Sequence, residues 1–283
     1  MPADLSGRVC VVTGANRGIG RATAEGLSDL GAELVLVCRR REDGDAVSRQ
    51  IAGKGRAAPI VVTAELSSQA SIRAAATEIG ERYSRLNVLI NNAGIIPRRR
   101  EVTVDGLEMQ FAVNHLAYFL LTNLLLPQLT AGSPARIINV SSGAHSGAKL
   151  DFADLQSEHG YDPQRVYSRT KLANILFTYE LARRLGVTGV TSNCLTPGVV
   201  ATAMLADYMG VPHSGTAADS TFGATPTEGA ETSIYLAASP AVERVTGKYF
   251  SGKKPVASSR ESHDEAVARR LWKVSEQLTG LTT

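Results

Sequence analysis

The chain has 283 residues, enough to bury a sizeable core in a single α/β domain. Its 43% hydrophobic and 20% charged content exclude a disordered or fibrous protein, and a net charge of +3 spread along the sequence makes no case for a nucleic-acid partner. Cys10, Cys38 and Cys194 lie in apolar runs, an odd set that reads as buried thiols in a reducing compartment and not as a disulfide framework. The opening M-P-A-D-L-S-G-R has no apolar signal region, and no run of about 18 apolar residues occurs, so the expectation is a cytoplasmic protein without a membrane anchor.

Residues 9–12 form an all-apolar strand, as a sheet covered on both faces requires. A helix over 21–30 follows and stops at Gly31. Residues 34–38 form the second strand, 42–52 a helix, 59–63 the third strand and 67–83 a helix capped by Ser67. The fourth strand, 88–90, runs into N-N-A-G, and a long helix over 105–129 precedes the fifth strand at 137–140. Asp162-Pro163 opens a helix that reaches Leu185, because Asp caps and Pro suits the first turn. The sixth strand, 190–195, ends at T-P-G; a polar stretch over 206–224 reads as a mobile loop. A helix over 227–238, a short strand at 248–250 and a helix over 263–278 complete the chain. Strands alternating with helices predict one domain over 1–283: an α/β, doubly wound parallel sheet of about seven strands with helices on both faces.

Between the first strand and helix stands T-G-A-N-R-G-I-G, residues 13–20. Gly14, Gly18 and Gly20 let the backbone approach a pyrophosphate, and the helix N-terminus favours its negative charge. Where such folds bind NAD, a carboxylate ends the second strand; here that strand ends V-C-R-R-R. Arg39 and Arg17 are therefore the expected partners of a 2′-phosphate, which predicts NADP(H). Arg40 and Arg41 read as a solvated charge run.

Tyr167 and Lys171 lie four residues apart in Y-S-R-T-K and share one helix face. A neighbouring ammonium stabilises a phenolate, and moving tyrosine from about 10 to about 7 takes roughly 4 kcal/mol. A glycine loop that holds a dinucleotide and a Tyr/Lys pair that moves a proton together imply hydride transfer to a carbonyl. His115, His145 and His159 lack metal-ligand spacing, so no metal is expected, and His115 reads as a helix-packing residue.

With T-G-A-N-R-G-I-G, N-N-A-G (91–94), N-H (114–115), N-V-S-S (139–142), Y-S-R-T-K (167–171) and T-P-G-V-V-A-T (196–202) in this order, the chain resembles the short-chain dehydrogenase/reductases, whose fold is of Rossmann type. V-N-H-L-A-Y-F-L-L-T, K-L-A-N-I-L-F, G-K-Y-F-S and A-R-R-L-W resemble the retinol dehydrogenase-like branch, which includes WW-domain oxidoreductases. The resemblance implies a tetrad of Asn114, Ser142, Tyr167 and Lys171. Tyr167 would donate the proton, Ser142 hold the carbonyl oxygen, Lys171 bind the nicotinamide ribose and Asn114 orient a relay water. It implies cofactor contacts from Gly14, Asn16, Arg17, Gly18, Ile19, Gly20, Arg39, Glu65, Leu66, Asn91, Asn92, Ala93, Gly94, Tyr167, Lys171, Pro197, Gly198, Val200 and Thr202. Glu65 stands where the family commonly has Asp.

The spacing 167 − 142 = 25 exceeds that of simple members and leaves an insertion over about 143–161, expected as a flap near the substrate. A substrate loop is expected at about 203–226, and its polar stretch H-S-G-T-A-A-D-S-T-F-G weakens the case for a retinoid. Arg98, Arg99 and Arg100 read as a solvated loop more readily than as an anion-attracting rim. The expected reaction moves a hydride between NADP(H) and the carbonyl or secondary alcohol of a hydrophobic or polycyclic small molecule, with subunit pairing into a homodimer or homotetramer through helices 105–129 and 162–185. Two rival readings fit these residues less well. A catalytically silent NADP-sensing regulator would have lost Tyr167, Lys171 or Ser142, and a nucleotide-sugar epimerase would carry a different glycine pattern and a larger C-terminal domain.

Overall fold

The computed structural model describes residues 4–210 and 223–281. Its centre is one eight-stranded sheet in the order β3-β2-β1-β4-β5-β6-β7-β8. The strands are β1 (Val9–Thr13), β2 (Glu33–Cys38), β3 (Ile60–Thr63), β4 (Val88–Asn91), β5 (Ala135–Val140), β6 (Val190–Thr196), β7 (Tyr249–Ser251) and β8 (Lys254–Val256). Seven run parallel. The eighth, β8, pairs antiparallel with β7 across a tight hairpin and was not legible as a strand, being short and wholly exposed.

Helices cover both faces, which is why β1 and β4 are apolar at every position but their ends. On one face lie α1 (Gly18–Asp29), α2 (Arg41–Gly53) and α8 (Pro226–Ala238), which bury Ala24, Leu27, Val47, Ile51 and Leu236 against Val12, Leu36 and Ile90. On the other lie α3 (Gln69–Arg82), α5 (Ala117–Ala131), α6 (Pro163–Leu185) and α9 (Glu265–Thr279), packed through Ile72, Ile79, Phe119, Phe177 and Trp272. β1 pairs with both β2 and β4, so the strand order reverses between β1 and β4 and opens a crevice at their carboxyl ends.

Several expected boundaries move for local reasons. α1 starts at Gly18, inside the glycine loop, not at Arg21. Ser68, not Ser67, caps α3 by accepting from the Ser71 amide; Ser67 instead bonds the Glu65 carboxylate. The helix expected from residue 105 begins at α4 (Met109–Phe111), because a turn at Thr103–Gly106 comes first and the Glu108 carboxylate caps the Gln110 and Phe111 amides. It then widens into a π-helical turn over Ala112–Leu116 before continuing as α5. The stretch Met109–Ala131 is long and apolar enough to cross a membrane by composition, yet 78% of its window is buried inside the protein. Part of the expected mobile loop is α7 (Ala203–Met209); residues 211–222 lie outside the described residues.

The 143–161 insertion is not a free flap. Ala148, Leu150, Phe152 and Leu155 pack on the cluster formed by Leu172, Leu176, Ala268 and Leu271, and the Arg270 guanidinium lies 4.2 Å from the Phe152 ring centroid. The expected pairing face is also covered. α9 lies along α6, with Trp272 against Phe119 and Phe177 and Arg184 stacked 4.1 Å over Trp272. Among the described residues, none of the exposed large apolar side chains belongs to α5 or α6.

Candidate active site

The crevice above β1 and β4 deepens into a cavity of about 1200 Å³. One end is built by the glycine loop. Gly14 has φ +66°, a conformation that L side chains rarely adopt, and a Cβ there would press on Ala93 at 3.0 Å. A Cβ on Gly20 would collide with the Gly14 carbonyl and the Asn92 amide. Asn92 is the brace behind this packing: its side chain donates to the Thr13 carbonyl at 2.9 Å, and its own amide donates to the Thr13 hydroxyl at 2.9 Å. No side chain caps α1, so its first turn, with Gly18, Ile19 and Gly20, presents backbone donors to the cavity. Thr202 faces Gly18 across the opening.

Arg17 and Arg39 are both exposed and both line this end. Arg17 lies 3.8 Å from the Asp207 carboxylate on α7. Arg40 is exposed, as expected, and also clasps Asp43 at 2.8 Å; Asp43 accepts from Asn16 as well, at 3.5 Å. Thus a carboxylate does line the cavity near β2, but on the first turn of α2 and already paired. Glu65 and Leu66 line the adjoining wall, with one Glu65 oxygen accepting from the Ser67 amide and hydroxyl.

The middle of the cavity holds the expected tetrad. Lys171 and Tyr167 lie one turn apart on α6, 3% and 8% exposed, with the Lys171 ammonium 5.5 Å from the Tyr167 ring centroid. That ammonium donates to the Val140 carbonyl at 3.0 Å. Ser142, at the end of β5, interacts with the Tyr167 hydroxyl and accepts from the Ala144 amide at 3.2 Å. Its neighbour Ser141 is buried and its hydroxyl is taken up by the Lys171 carbonyl at 2.8 Å, so Ser142 is the serine whose hydroxyl meets Tyr167. Asn114 sits in the π-helical turn, fully buried; its Oδ1 accepts from the Ile95 amide at 2.9 Å, and its Nδ2 donates to the Ile95 carbonyl and to Thr170. π-Turns are rare and concentrate at functional sites, and this one aims Asn114 at the strand-end loop that follows β4. Gly94 lies beside the Asn114 oxygen and the Lys171 ammonium.

In the protein alone, burial pushes the Tyr167 phenol up to about 12, with the Ser142 hydrogen bond opposing, and drives the Lys171 ammonium down to about 7. The expected lowering of Tyr167 was to come from Lys171 together with the positive nicotinamide of a bound cofactor, and burial is the effect it would have to overcome. Tyr167 is thus a neutral phenol at physiological pH, the form that donates a proton.

Of the other expected contacts, Ala93, Pro197, Gly198 and Val200 line the cavity, and Asn91 does not. Asn91 is fully buried beneath it, bonded to Thr122 and Asn139. The cavity also has apolar lining from Ile96, Pro97, Met109, Val113, Val199, Met204 and Tyr208. Met204 and Tyr208 belong to the expected substrate loop; Ile96, Pro97, Met109 and Val113 were missed, because they come from separate segments with no motif to announce them. Arg98 and Arg100 do not form an anionic trap: Arg98 donates to the Asp207 carbonyl and Arg100 to the Gln156 carbonyl, tying the loop to α7 and to the insertion. Among the described residues, no group of His, Cys, Asp and Glu is arranged to hold a metal ion.

A short chain dehydrogenase family model matches residues 8–209. The chain is 44% identical over 295 residues to mouse (Mus musculus) retinol dehydrogenase 14, covering 99% of this chain and 88% of that protein. It is 43% identical over 288 residues to human (Homo sapiens) retinol dehydrogenase 13, with 99% and 86% covered. A solved protein from Mycobacterium paratuberculosis, described as uncharacterized, superposes with a TM-score of 0.80 at 33% identity, covering 99% and 96% of the two chains. A short chain dehydrogenase from Burkholderia cenocepacia in complex with NADP superposes with a TM-score of 0.69 at 26% identity, covering 87% and 96%. The chain belongs to the short-chain dehydrogenase/reductase family, in its retinol dehydrogenase branch, and is an oxidoreductase by that membership.

Proposed function

We propose that the protein is an NADP(H)-dependent oxidoreductase that interconverts the carbonyl and alcohol of a hydrophobic small molecule, retinoids and polycyclic ketones being the two substrate classes to try first. The observation that carries the cofactor half is the cavity end where the exposed Arg17 and Arg39 can turn to a phosphate, Arg17 held by a long 3.8 Å pair with Asp207, while Asp43 is clasped by Arg40. Guanidinium pairs phosphate bidentately, and a ribose without that phosphate gains nothing from it. The uncapped first turn of α1 and the close packing at Gly14 and Gly20 fit a dinucleotide pyrophosphate.

When bound, NADPH supplies the hydride. This chain's residues supply the rest. In reduction, the neutral Tyr167 phenol gives its proton to the carbonyl oxygen as that oxygen gains negative charge. The Ser142 hydroxyl, its lone pair engaged by the Ala144 amide, donates its hydrogen to the same oxygen and stabilises the charge. Lys171, held to the Val140 carbonyl, places an N–H donor beside Tyr167 and is the residue that would hold a ribose hydroxyl. Asn114 is already committed to Ile95 and Thr170, which fixes the wall next to Lys171. The apolar end bounded by Ile96, Met109, Val113, Val199 and Met204 favours a substrate whose bulk is hydrocarbon. The similarity to mouse and human retinol dehydrogenases favours the retinoid class. Free buried thiols at Cys10, Cys38 and Cys194 accord with action in the reducing cytoplasm.

The experiment is a spectrophotometric panel with purified protein, NADPH or NADH, and all-trans-retinal or 1-tetralone. We expect kcat/KM with NADPH to exceed that with NADH by about 10-fold or more, the worth of one charge-assisted phosphate contact. Equal or better turnover with NADH would sink the cofactor assignment.

A further inference from the structure

His145 is 3% exposed and lies three residues beyond Ser142, within the short 3₁₀ turn Gly143–His145 that Ser142 caps. Its Nδ1 is 2.7 Å from the Ser142 carbonyl oxygen, and its Nε2 is 3.1 Å from the Ser259 backbone nitrogen. A carbonyl can only accept and a backbone N–H can only donate. The ring therefore carries its hydrogen on Nδ1, donates to Ser142 and accepts from Ser259. The ring edge also meets the Tyr249 ring on β7, at 5.0 Å between centroids and 65° between planes. Rotation, tautomer and neutral state are all specified, since an imidazolium would set a second N–H against the Ser259 N–H. Burial acts in the same direction and lowers the His145 pKa.

The consequence reaches the cavity. The same turn presents Gly143 and Ala144 to the cavity, is tied to β6 by the Gly143 amide on the Thr196 hydroxyl, and engages the Ser142 hydroxyl through the Ala144 amide. His145 supplies the tether on the side away from the cavity and connects it to the segment after β8. We propose that His145 is a positioning residue for Ser142: its neutral Nδ1–H tautomer, imposed by Ser259, holds the Ser142 carbonyl and so aims the hydroxyl at Tyr167 and the substrate oxygen. This rests on the proposed chemistry for the value of Ser142, but the hydrogen-bond arrangement itself can be tested without turnover.

The test compares His145→Asn, whose amide nitrogen overlays Nδ1, with His145→Gln, whose amide overlays Nε2, and with His145→Ala. Turnover is measured with NADPH and whichever of all-trans-retinal and 1-tetralone the wild-type protein reduces faster. We expect His145→Ala and His145→Gln to lose about 10- to 100-fold in kcat, the cost of misplacing a reacting group by about 1 Å, while KM for NADPH stays within about twofold. His145→Asn should recover kcat to within about threefold of wild type. Equal kcat in wild type and His145→Ala, equal recovery by Gln and Asn, or a kcat loss matched by lost NADPH affinity would each overturn the proposal. Independently of activity, ¹H–¹⁵N spectra of the histidine ring at neutral pH should show the Nδ1–H tautomer for His145. An Nε2–H tautomer or a cation there overturns it even if the enzyme turns out to act on other substrates.

Discussion

The two polar regions of the cavity are built on opposite principles. Around the tetrad, Asn114, Lys171 and Tyr167 are 0%, 3% and 8% exposed, and the first two have their polar atoms committed to Ile95, Thr170 and Val140. At the phosphate end, Arg17 and Arg39 stand in solvent, and the Arg17–Asp207 pair is 3.8 Å apart with both side chains more than half exposed. Folding has already ordered the first region, at the cost of desolvating a phenol and an ammonium. The second keeps its charge hydrated until an anion arrives. Changes to the tetrad should therefore alter rate and stability, and changes to the rim should alter affinity alone.

Tyr167→Phe should break the first half of that contrast most severely. Removing the proton donor is expected to cost about 10³-fold in kcat, while the ring keeps its packing and the NADPH dissociation constant stays within about threefold. Steady-state kinetics and NADPH fluorescence titration check both numbers; undiminished turnover would remove Tyr167 from its role. Arg39→Ala probes the other half. KM for NADPH should rise about 10- to 100-fold with kcat and the NADH parameters little changed, the worth of one charged hydrogen-bonded contact. A matching loss with NADH would mean that Arg39 supports the fold and not the phosphate.

The buried ammonium offers a subtler measurement. The Lys171 pKa falls from 10.5 to about 7 in the folded protein because of burial. Between those values the unfolded chain keeps a proton that the folded chain has released, so this group's contribution to stability rises with pH across that window and is lost as pH falls toward 7. In urea denaturation of the cofactor-free protein, any advantage of Lys171→Met over wild type should shrink from about pH 7 to about pH 9. A gap that widens or stays level would mean that Lys171 remains charged in the fold. The smallest effect belongs to Asp207→Asn. An exposed pair at this distance is worth about 0.2–1 kcal/mol, so NADPH affinity should change by no more than about fivefold, and in the direction of tighter binding as Arg17 is released.

The alternation of strands and helices, the glycine loop and the tetrad were legible in the residues because each depends on local chemistry. Apolar runs mark strands buried on both faces, glycines mark a turn that a phosphate can approach, and four-residue spacing puts Tyr167 and Lys171 on one side of α6. What depends on distant contacts was not legible. The 143–161 insertion looks like a surface flap until Leu150 and Phe152 find α6 and α9, 20 to 120 residues away in sequence. The face of α5 and α6 looks like a pairing surface until Trp272 covers it.

By itself, the sequence determined the family, the doubly wound sheet and which four side chains stand at the centre of the cavity, since these follow from short-range pattern and residue type. Only the tertiary structure decided that Ser141 is turned to the Lys171 carbonyl, that burial pushes the Tyr167 phenol up, and that His145 braces Ser142 from behind. The reason is physical: burial and hydrogen-bond partnership are set by what the rest of the chain brings alongside, and desolvation can reverse the sign of a shift that charge proximity alone suggests.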